Sequence, residues 1–220
     1  MVALLLLQLT VVSANFAFLF DSDYDYYLFV VEWKPSQCYS RKCPVDYLNS
    51  NFNIHGLWPE RWSGTYPESC GSDYSFEISE ETSESLMSYW LSYNGDQKVF
   101  WEHEWTKHGT CVTPAITCNT YFELGVQMYE DLKILETLQS KGVIPSNAVE
   151  VNRTAVQTAF SNTIDLLCLT YSKKQYLSTL RFCYDKDFKK IDCKGSNSCK
   201  ATFWFPLAEQ ANLINSVFSE

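Results

Sequence analysis

Phe52-Asn53-Ile54-His55-Gly56-Leu57-Trp58-Pro59 reads as a strand that hands over to a reactive end. Phe52 to Leu57 is apolar and extended in character, and Pro59 ends it. His55 sits near that end. Gly56 beside it permits close approach of a backbone or a ligand, and Trp58 offers a flat stacking surface. A second run, Tyr27-Leu28-Phe29-Val30-Val31-Glu32-Trp33-Lys34, is rich in aromatic and branched residues and predicts a core strand. A lone histidine at the end of an apolar strand is ordinarily a satisfied core residue. The position of the other histidines changes that reading.

The chain holds three histidines, His55, His103 and His108. The last two lie in Phe100-Trp101-Glu102-His103-Glu104-Trp105-Thr106-Lys107-His108-Gly109-Thr110-Cys111, and Val99 to His108 predicts a helix that Gly109 terminates. At four-residue spacing His103 pairs with Lys107, and Glu104 with His108, on one face. The four side chains cover an arc of about 140° at 100° per residue. Trp101 and Trp105 form another stripe that can bury. The bland alternative is a solvated charged face.

Elsewhere the pattern predicts a loop over Cys38 to Asn51 and turns over Glu60 to Ser79. A helix follows over Glu80 to Ser92, with Leu86, Trp90 and Met87 inward. Tyr121 to Lys141 is the clearest amphipathic helix, stopped by Gly142. A helix over Arg153 to Ile164 and strands over Leu177 to Tyr184, Lys189 to Cys193 and Ala201 to Phe205 complete the pass. Strands with segregated helices predict an α+β fold whose central sheet is mainly antiparallel, with helices packed around it.

Met1 to Ala17 reads as a secretory signal, with Leu4 to Leu7 opening a short apolar run and cleavage after Ala14 or Ala17. The run is interrupted by Gln8, Thr10 and Ser13 and falls short of the roughly 20 apolar residues a membrane span needs. Residues 18–220 fit one domain, with no linker, repeat or low-complexity tract. Nine cysteines behind a signal point to an oxidising compartment and a disulfide framework, and no CxxC pair suggests zinc. Asn152-Arg153-Thr154 is a glycosylation acceptor. A net charge of -9 excludes a protein whose whole surface binds nucleic acid, so a polyanionic substrate would be held at a small local site. It also suits an acidic compartment.

Two histidines on separate elements are what metal-free transesterification of RNA requires. One takes the ribose 2′-hydroxyl proton as that oxygen attacks phosphorus, and the other protonates the departing 5′-oxygen. A neighbouring cation stabilises the phosphoryl charge. At this point the residues match a known family. FNIHGLWP (Phe52 to Pro59) and FWEHEWTKHGTC (Phe100 to Cys111) closely resemble the two signature segments of the ribonuclease T2 family, secreted or vacuolar endoribonucleases. Looser resemblance extends through Tyr27 to Trp33, the Gly64-Thr65-Tyr66-Pro67 turn and the late cysteines.

The resemblance implies roles. His108 is the general base and His55 the general acid. His103 holds the phosphate, and Glu104 and Lys107 stabilise the crowded phosphorus intermediate. Trp58, Tyr66 and Glu60 fall where fungal members stack and hydrogen-bond a base, with a hint of adenine preference at Glu60. Phe100 matches an aromatic base contact of plant members. Glu32 stands before Trp33 where many plant members carry Gln, and Asn53 replaces the more usual Gly or Thr. The family pattern implies disulfides Cys38–Cys43, Cys70–Cys111, Cys168–Cys199 and Cys183–Cys193, leaving Cys118 over.

The expected substrate is therefore single-stranded RNA, cut through a 2′,3′-cyclic phosphate with low base specificity and an acidic optimum. Neither cofactor nor metal is expected, DNA and membranes are not partners, and the chain is expected to be a monomer unless Cys118 bridges two copies. It is expected to be secreted, with a vacuole or lysosome as the other destination. Three rival readings stand beside this one. A zinc hydrolase would use His55, His103, His108 and Glu104, although His103 and His108 are five apart where the metalloprotease motif needs four. A thiol hydrolase would use Cys111 beside His108, which requires a free thiolate. A recognition or storage protein on the same scaffold would ordinarily have lost a catalytic histidine.

Overall fold

Strand β1 (Tyr26–Trp33) is the one against which the others are laid, because its two faces are both apolar. The computed structural model describes residues 24–208 except 40, 45–46, 72–74 and 114. The expected signal segment lies outside them. β1 pairs antiparallel with β2 (Phe52–Glu60) on one side and with β5 (Lys174–Tyr184) on the other. β4 (Asp165–Tyr171) forms a hairpin with β5, and the short β6 (Lys190–Ile191) also pairs with β5. β7 (Thr202–Phe205) touches β5 in parallel and pairs antiparallel with β3 (Ser146–Asn152). The sheet order among the described residues is β2-β1-β5-β7-β3. The fold is α+β with a mainly antiparallel sheet.

Alternation along β1 divides the chemistry. Tyr27, Phe29, Val31 and Trp33 point into the main core, with Ile54, Leu57, Leu180 and Phe182 from the neighbouring strands. Onto this face pack α2 (Glu80–Tyr89), α3 (Gln97–Lys107) and α4 (Cys118–Leu132), which contribute Leu86, Trp101, Trp105, Tyr121 and Phe122. Each such side chain contributes roughly 1.5–3 kcal/mol when fully buried. Leu28 and Val30 face the other way and form a smaller cluster with Cys183 and Cys193, against which Trp58 packs.

Several expectations need correction. The long helix over Tyr121 to Lys141 is two helices, α4 and α5 (Ile134–Ser140), separated by Lys133 at φ 43°. That left-handed residue turns Ile134 and Leu138 inward and leaves Leu135 only partly buried. The apolar period hides the break, because leucines and isoleucine flank it on both sides. The helix begun at Arg153 stops at Gln157 (α6), where Ser161, Asn162 and Thr163 offer the backbone local alternatives. Strands β3 and β4 were not foreseen. β3 is mostly exposed and carries no clean alternation, and β4 is a short apolar run that periodicity alone cannot tell from a buried helix. Met87 is 51 % exposed rather than inward, while Leu86 and Trp90 are buried. β1 ends at Trp33, because Lys34-Pro35 opens a short helix, α1 (Lys34–Gln37), with proline in its first turn. β2 runs through Pro59 to Glu60. A proline is tolerated there because β2 is an edge strand.

Among the described residues the bonded cysteines are Cys38–Cys43, Cys70–Cys111, Cys168–Cys199 and Cys183–Cys193, the pairs that the resemblance implies. Cys118 is unpaired and buried in the first turn of α4, where burial pushes its thiol up to about 11. A bridge to another chain through Cys118 would need that turn to open. Asn152 is exposed and caps α6. No helix of the described residues is long and apolar enough to cross a membrane.

Candidate active site

A β-bulge decides where His55 points. Val30 pairs with Gly56 and Val31 with Ile54, so His55 is the extra residue of β2. Strict alternation would set His55 on the face opposite Trp58 and Glu60. The bulge re-aims it, and all three line one cleft of about 400 Å³. The same cleft is lined by Tyr66, Gly64, His103, Glu104, Lys107, His108 and Arg181. Phe100 is not part of that lining. Its ring instead meets His55 edge-on at 5.7 Å.

Three tryptophans lock β2 to α3. The Trp90 indole donates to the His55 carbonyl at 2.8 Å, and the Trp101 indole donates to the Trp90 carbonyl at 2.7 Å. The Trp58 indole donates to Glu104 Oε2 at 2.9 Å. Gly56 makes the last bond feasible, since a Cβ there would overlap both Trp58 Nε1 and Glu104 Oε2. α3 begins at the Asp96 cap, which accepts from the Val99 amide, and buries Trp101 and Trp105. Its opposite side carries His103, Glu104 and Lys107, and His108 is the C-cap. A one-turn 3-10 segment, Gly109–Val112, follows at once. The Cys70–Cys111 bridge and the Ser69 amide, which donates to the Lys107 carbonyl at 2.8 Å, tie this end to the loop after β2.

The two imidazoles that face the cleft live in opposite surroundings. His55 Nδ1 lies 2.7 Å from Glu32 Oε1, and its Nε2 lies 3.8 Å from Glu104 Oε1. Burial works against a charged His55 ring, and Arg181 adds to that. The Glu32 hydrogen bond and the charges of Glu32 and Glu104 outweigh both and hold its pKa above the usual value. His108 is 6 % exposed and stacks on Trp58 with ring centroids 5.0 Å apart. Burial, then Lys107, His103 and His55, push it down to about 3. Its Nδ1 is buried with no partner among the described residues. His103 is exposed on the rim, lowered by partial burial and by Lys107 and His55. Glu104 is 1 % exposed, and burial raises it to about 7 against the pull of His55, Trp58 and Lys107. Glu60 is raised to about 7 by burial, opposed by Arg181. Lys107 lies 3.7 Å from Glu68 and 6.0 Å from the centre of the exposed Tyr66 ring.

The cleft therefore gathers His55, Trp58, Glu60, Tyr66, His103, Glu104, Lys107 and His108, and leaves Phe100 outside its lining. Two groups escaped the sequence reading. By sequence Glu32 stands out only as a departure from Gln, whereas in the fold it is the Nδ1 partner of His55. Arg181 carries no motif that marks it by sequence. Its signal was a cation between Leu180 and Phe182 in a strand. Cys111 is disulfide-bonded, which removes the thiol-hydrolase reading. No three of His, Cys, Asp and Glu converge as a metal-binding group among the described residues.

Comparison with known proteins points one way. The profile of the Ribonuclease T2 family matches residues 24–193. Ribonuclease DdI of Dictyostelium discoideum is 34 % identical over 195 residues, covering 84 % of this chain and 85 % of that protein. Among solved structures, a mutant of ribonuclease MC1 in complex with 5′-GMP superposes with a TM-score of 0.76 at 30 % identity, covering 83 % of this chain and 100 % of that one. Ribonuclease MC1 from bitter gourd seeds gives 0.75 at 30 % identity, with the same coverage.

Proposed function

The chain belongs to the ribonuclease T2 family of RNA-cleaving endoribonucleases, and on that premise we propose a metal-independent acid mechanism carried by His55 and His108. The observation that carries it is the pair of imidazoles around one cleft, one set to keep its proton and the other to stay neutral. Neutral His108 takes the 2′-hydroxyl proton. The 2′-oxygen attacks phosphorus, and protonated His55 gives its proton to the 5′-oxygen as the P–O5′ bond breaks. The product is a 2′,3′-cyclic phosphate, which water opens with the two roles reversed.

The remaining groups serve charge. Lys107 and His103 hold the phosphoryl oxygens. Glu104, neutral at acidic pH because of its burial, donates a hydrogen bond to one of them while the Trp58 indole fixes its other oxygen. Trp58 and Tyr66 offer stacking surfaces for a base and Glu60 accepts from its exocyclic amine. Phe100, packed edge-on against His55 and partly exposed, offers a further aromatic contact for a base. DNA lacks the attacking hydroxyl and stays uncut, and cleavage reaches all four bases in single-stranded RNA. The chain works as a monomer on the secretory route, outside the cell or in an acidic vacuole or lysosome.

The test is digestion of RNA with a chelator present, comparing wild type with His108→Ala and identifying product ends. Cyclic phosphate ends from the wild type alone support the mechanism. Activity abolished by the chelator, or retained by His108→Ala, overturns it.

A further inference from the structure

Arg181 lines the cleft but has no part in the chemistry above. It projects from the middle of β5, in register with Val30 of β1 and Asp165 of β4. Asp165 accepts the Ser196 amide at 2.7 Å and feels the Arg181 charge, but no ion pair closes between them within 4 Å among the described residues. Arg181 Nε is buried and makes no hydrogen bond among the described residues. Glu60 lines the same cleft, and the two feel each other's charge. Yet no ion pair closes between them within 4 Å among the described residues. A half-buried carboxyl and a half-buried guanidinium held apart keep hydrogen-bonding capacity that a third group must satisfy.

The chemistry of that third group is constrained. It must give N–H donors to the carboxylate and an acceptor pair to a planar fork, and it must lie against Trp58 or Tyr66. A phosphate satisfies Arg181 but offers Glu60 no N–H donor. Guanine satisfies both: N1–H and the N2 amine face a carboxylate, and O6 with N7 accept from arginine. Adenine turns its amine toward the guanidinium, and pyrimidines lack the paired O6 and N7 acceptors. Resting on the ribonuclease reading above, we propose that Arg181 and Glu60 together read the edge of a guanine flanking the scissile phosphate. The result is a graded preference within an enzyme that still cuts at every base. It also replaces the adenine hint that Glu60 alone suggests.

The experiment measures kcat/KM on the full set of dinucleoside monophosphates for wild type, Arg181→Met and Arg181→Lys, with melting curves for each. Binding of 5′-GMP and 5′-AMP to the wild type is measured beside them. The wild type should favour guanosine on one side of the cut and bind 5′-GMP more tightly. Arg181→Met should lose about tenfold on guanosine substrates, one bidentate contact, and stay within about twofold on the others. Arg181→Lys keeps the charge without the fork and should resemble Arg181→Met. An equal loss on every base makes Arg181 a phosphate contact and overturns the proposal. So does full rescue by lysine, or a wild type that binds the two nucleotides equally. A wild type that cuts RNA without base preference sinks only this inference, whereas one that cuts no RNA sinks the function itself.

Discussion

Replacing Gly56 by alanine adds one methyl group at the most crowded point of the cleft. The new Cβ would overlap Trp58 Nε1 and Glu104 Oε2 and would meet Trp58 Cδ1 at 2.8 Å. None of these is the free end of a flexible chain: the indole is stacked on His108 and the carboxyl is buried. Overpacking of this kind costs about 1–3 kcal/mol. Losing the Trp58–Glu104 bond adds about 0.5–1.5 kcal/mol, the range for a hydrogen bond between neutral groups, since Glu104 is protonated at acidic pH. Relaxation is shared between the two, so a loss of about 3 kcal/mol is expected, or roughly 6–12 °C in Tm at 2–4 °C per kcal/mol. Activity should fall further than stability, because Trp58 contacts both imidazoles and Glu104 contacts His55, and an ångström of misplacement costs about a hundredfold. Calorimetry and kcat/KM on RNA at acidic pH test this together. Gly142→Ala is the contrast: its φ of +75° strains the backbone, but nothing lies within 4 Å of a Cβ there. It should lose about 1–2 kcal/mol with activity intact. A Gly56→Ala enzyme with wild-type Tm and activity would refute the crowding argument.

Further outcomes follow from the same geometry. The pH–rate profile should fall on the alkaline side as His55 loses its proton. In Glu32→Gln, which removes the charge that raises His55, that limb should move to lower pH, and an unmoved limb means Glu32 does not set it. The acid limb, set by His108, should lie near pH 3, so that activity holds well below the ordinary histidine range. Glu104 has its folded pKa raised to about 7. Its contribution to stability is present below about pH 4.5 and is lost as pH rises through 7, and Tm against pH should be flatter over that window in Glu104→Gln. Removing the Cys70–Cys111 bridge with serines frees a 41-residue separation and should cost about 4 kcal/mol on the chain-entropy account. Urea melts at equal pH check it.

The sequence exposed most of this site because its groups are few and local. His103, Glu104, Lys107 and His108 lie on one helical arc, and the helix that carries them needs only its Trp101–Trp105 stripe to be oriented. Glu32 and Arg181 were harder for one reason: each is a single charge on a strand, and its meaning depends on which strand lies beside it. Register is a tertiary property. Val30 standing between Gly56 and Arg181 is what brings Arg181 toward the cleft, and no local pattern announces it. The bulge at His55 is similar. Alternation along β2 argues against His55 sharing a face with Trp58 and Glu60, and only pairing with β1 shows the extra residue. The helix break at Lys133 was hidden by apolar residues that satisfy either arrangement.

The charge pattern explains how an acidic chain can act on a polyanion. The net charge of -9 is spread over the molecule, while the cleft segregates its own charges. Carboxyl groups cluster behind His55, where Glu32 and Glu104 approach it on both ring nitrogens. Lys107 and the rim His103 stand on the side of His108, and the dry stack on Trp58 keeps that ring neutral. On the proposed roles, the acid His55 is held charged chiefly by Glu32, and the base His108 is held neutral by burial and by the neighbouring cations. A phosphate bound between them would lie beside Lys107, which lines the same cleft. Its negative charge would raise both histidines. His108 has the room to absorb that rise, because it starts well below the pH at which the enzyme would work. His55 only becomes a surer proton donor. The two opposed starting points make substrate binding itself compatible with catalysis, which a symmetric pair of imidazoles in one environment would not achieve.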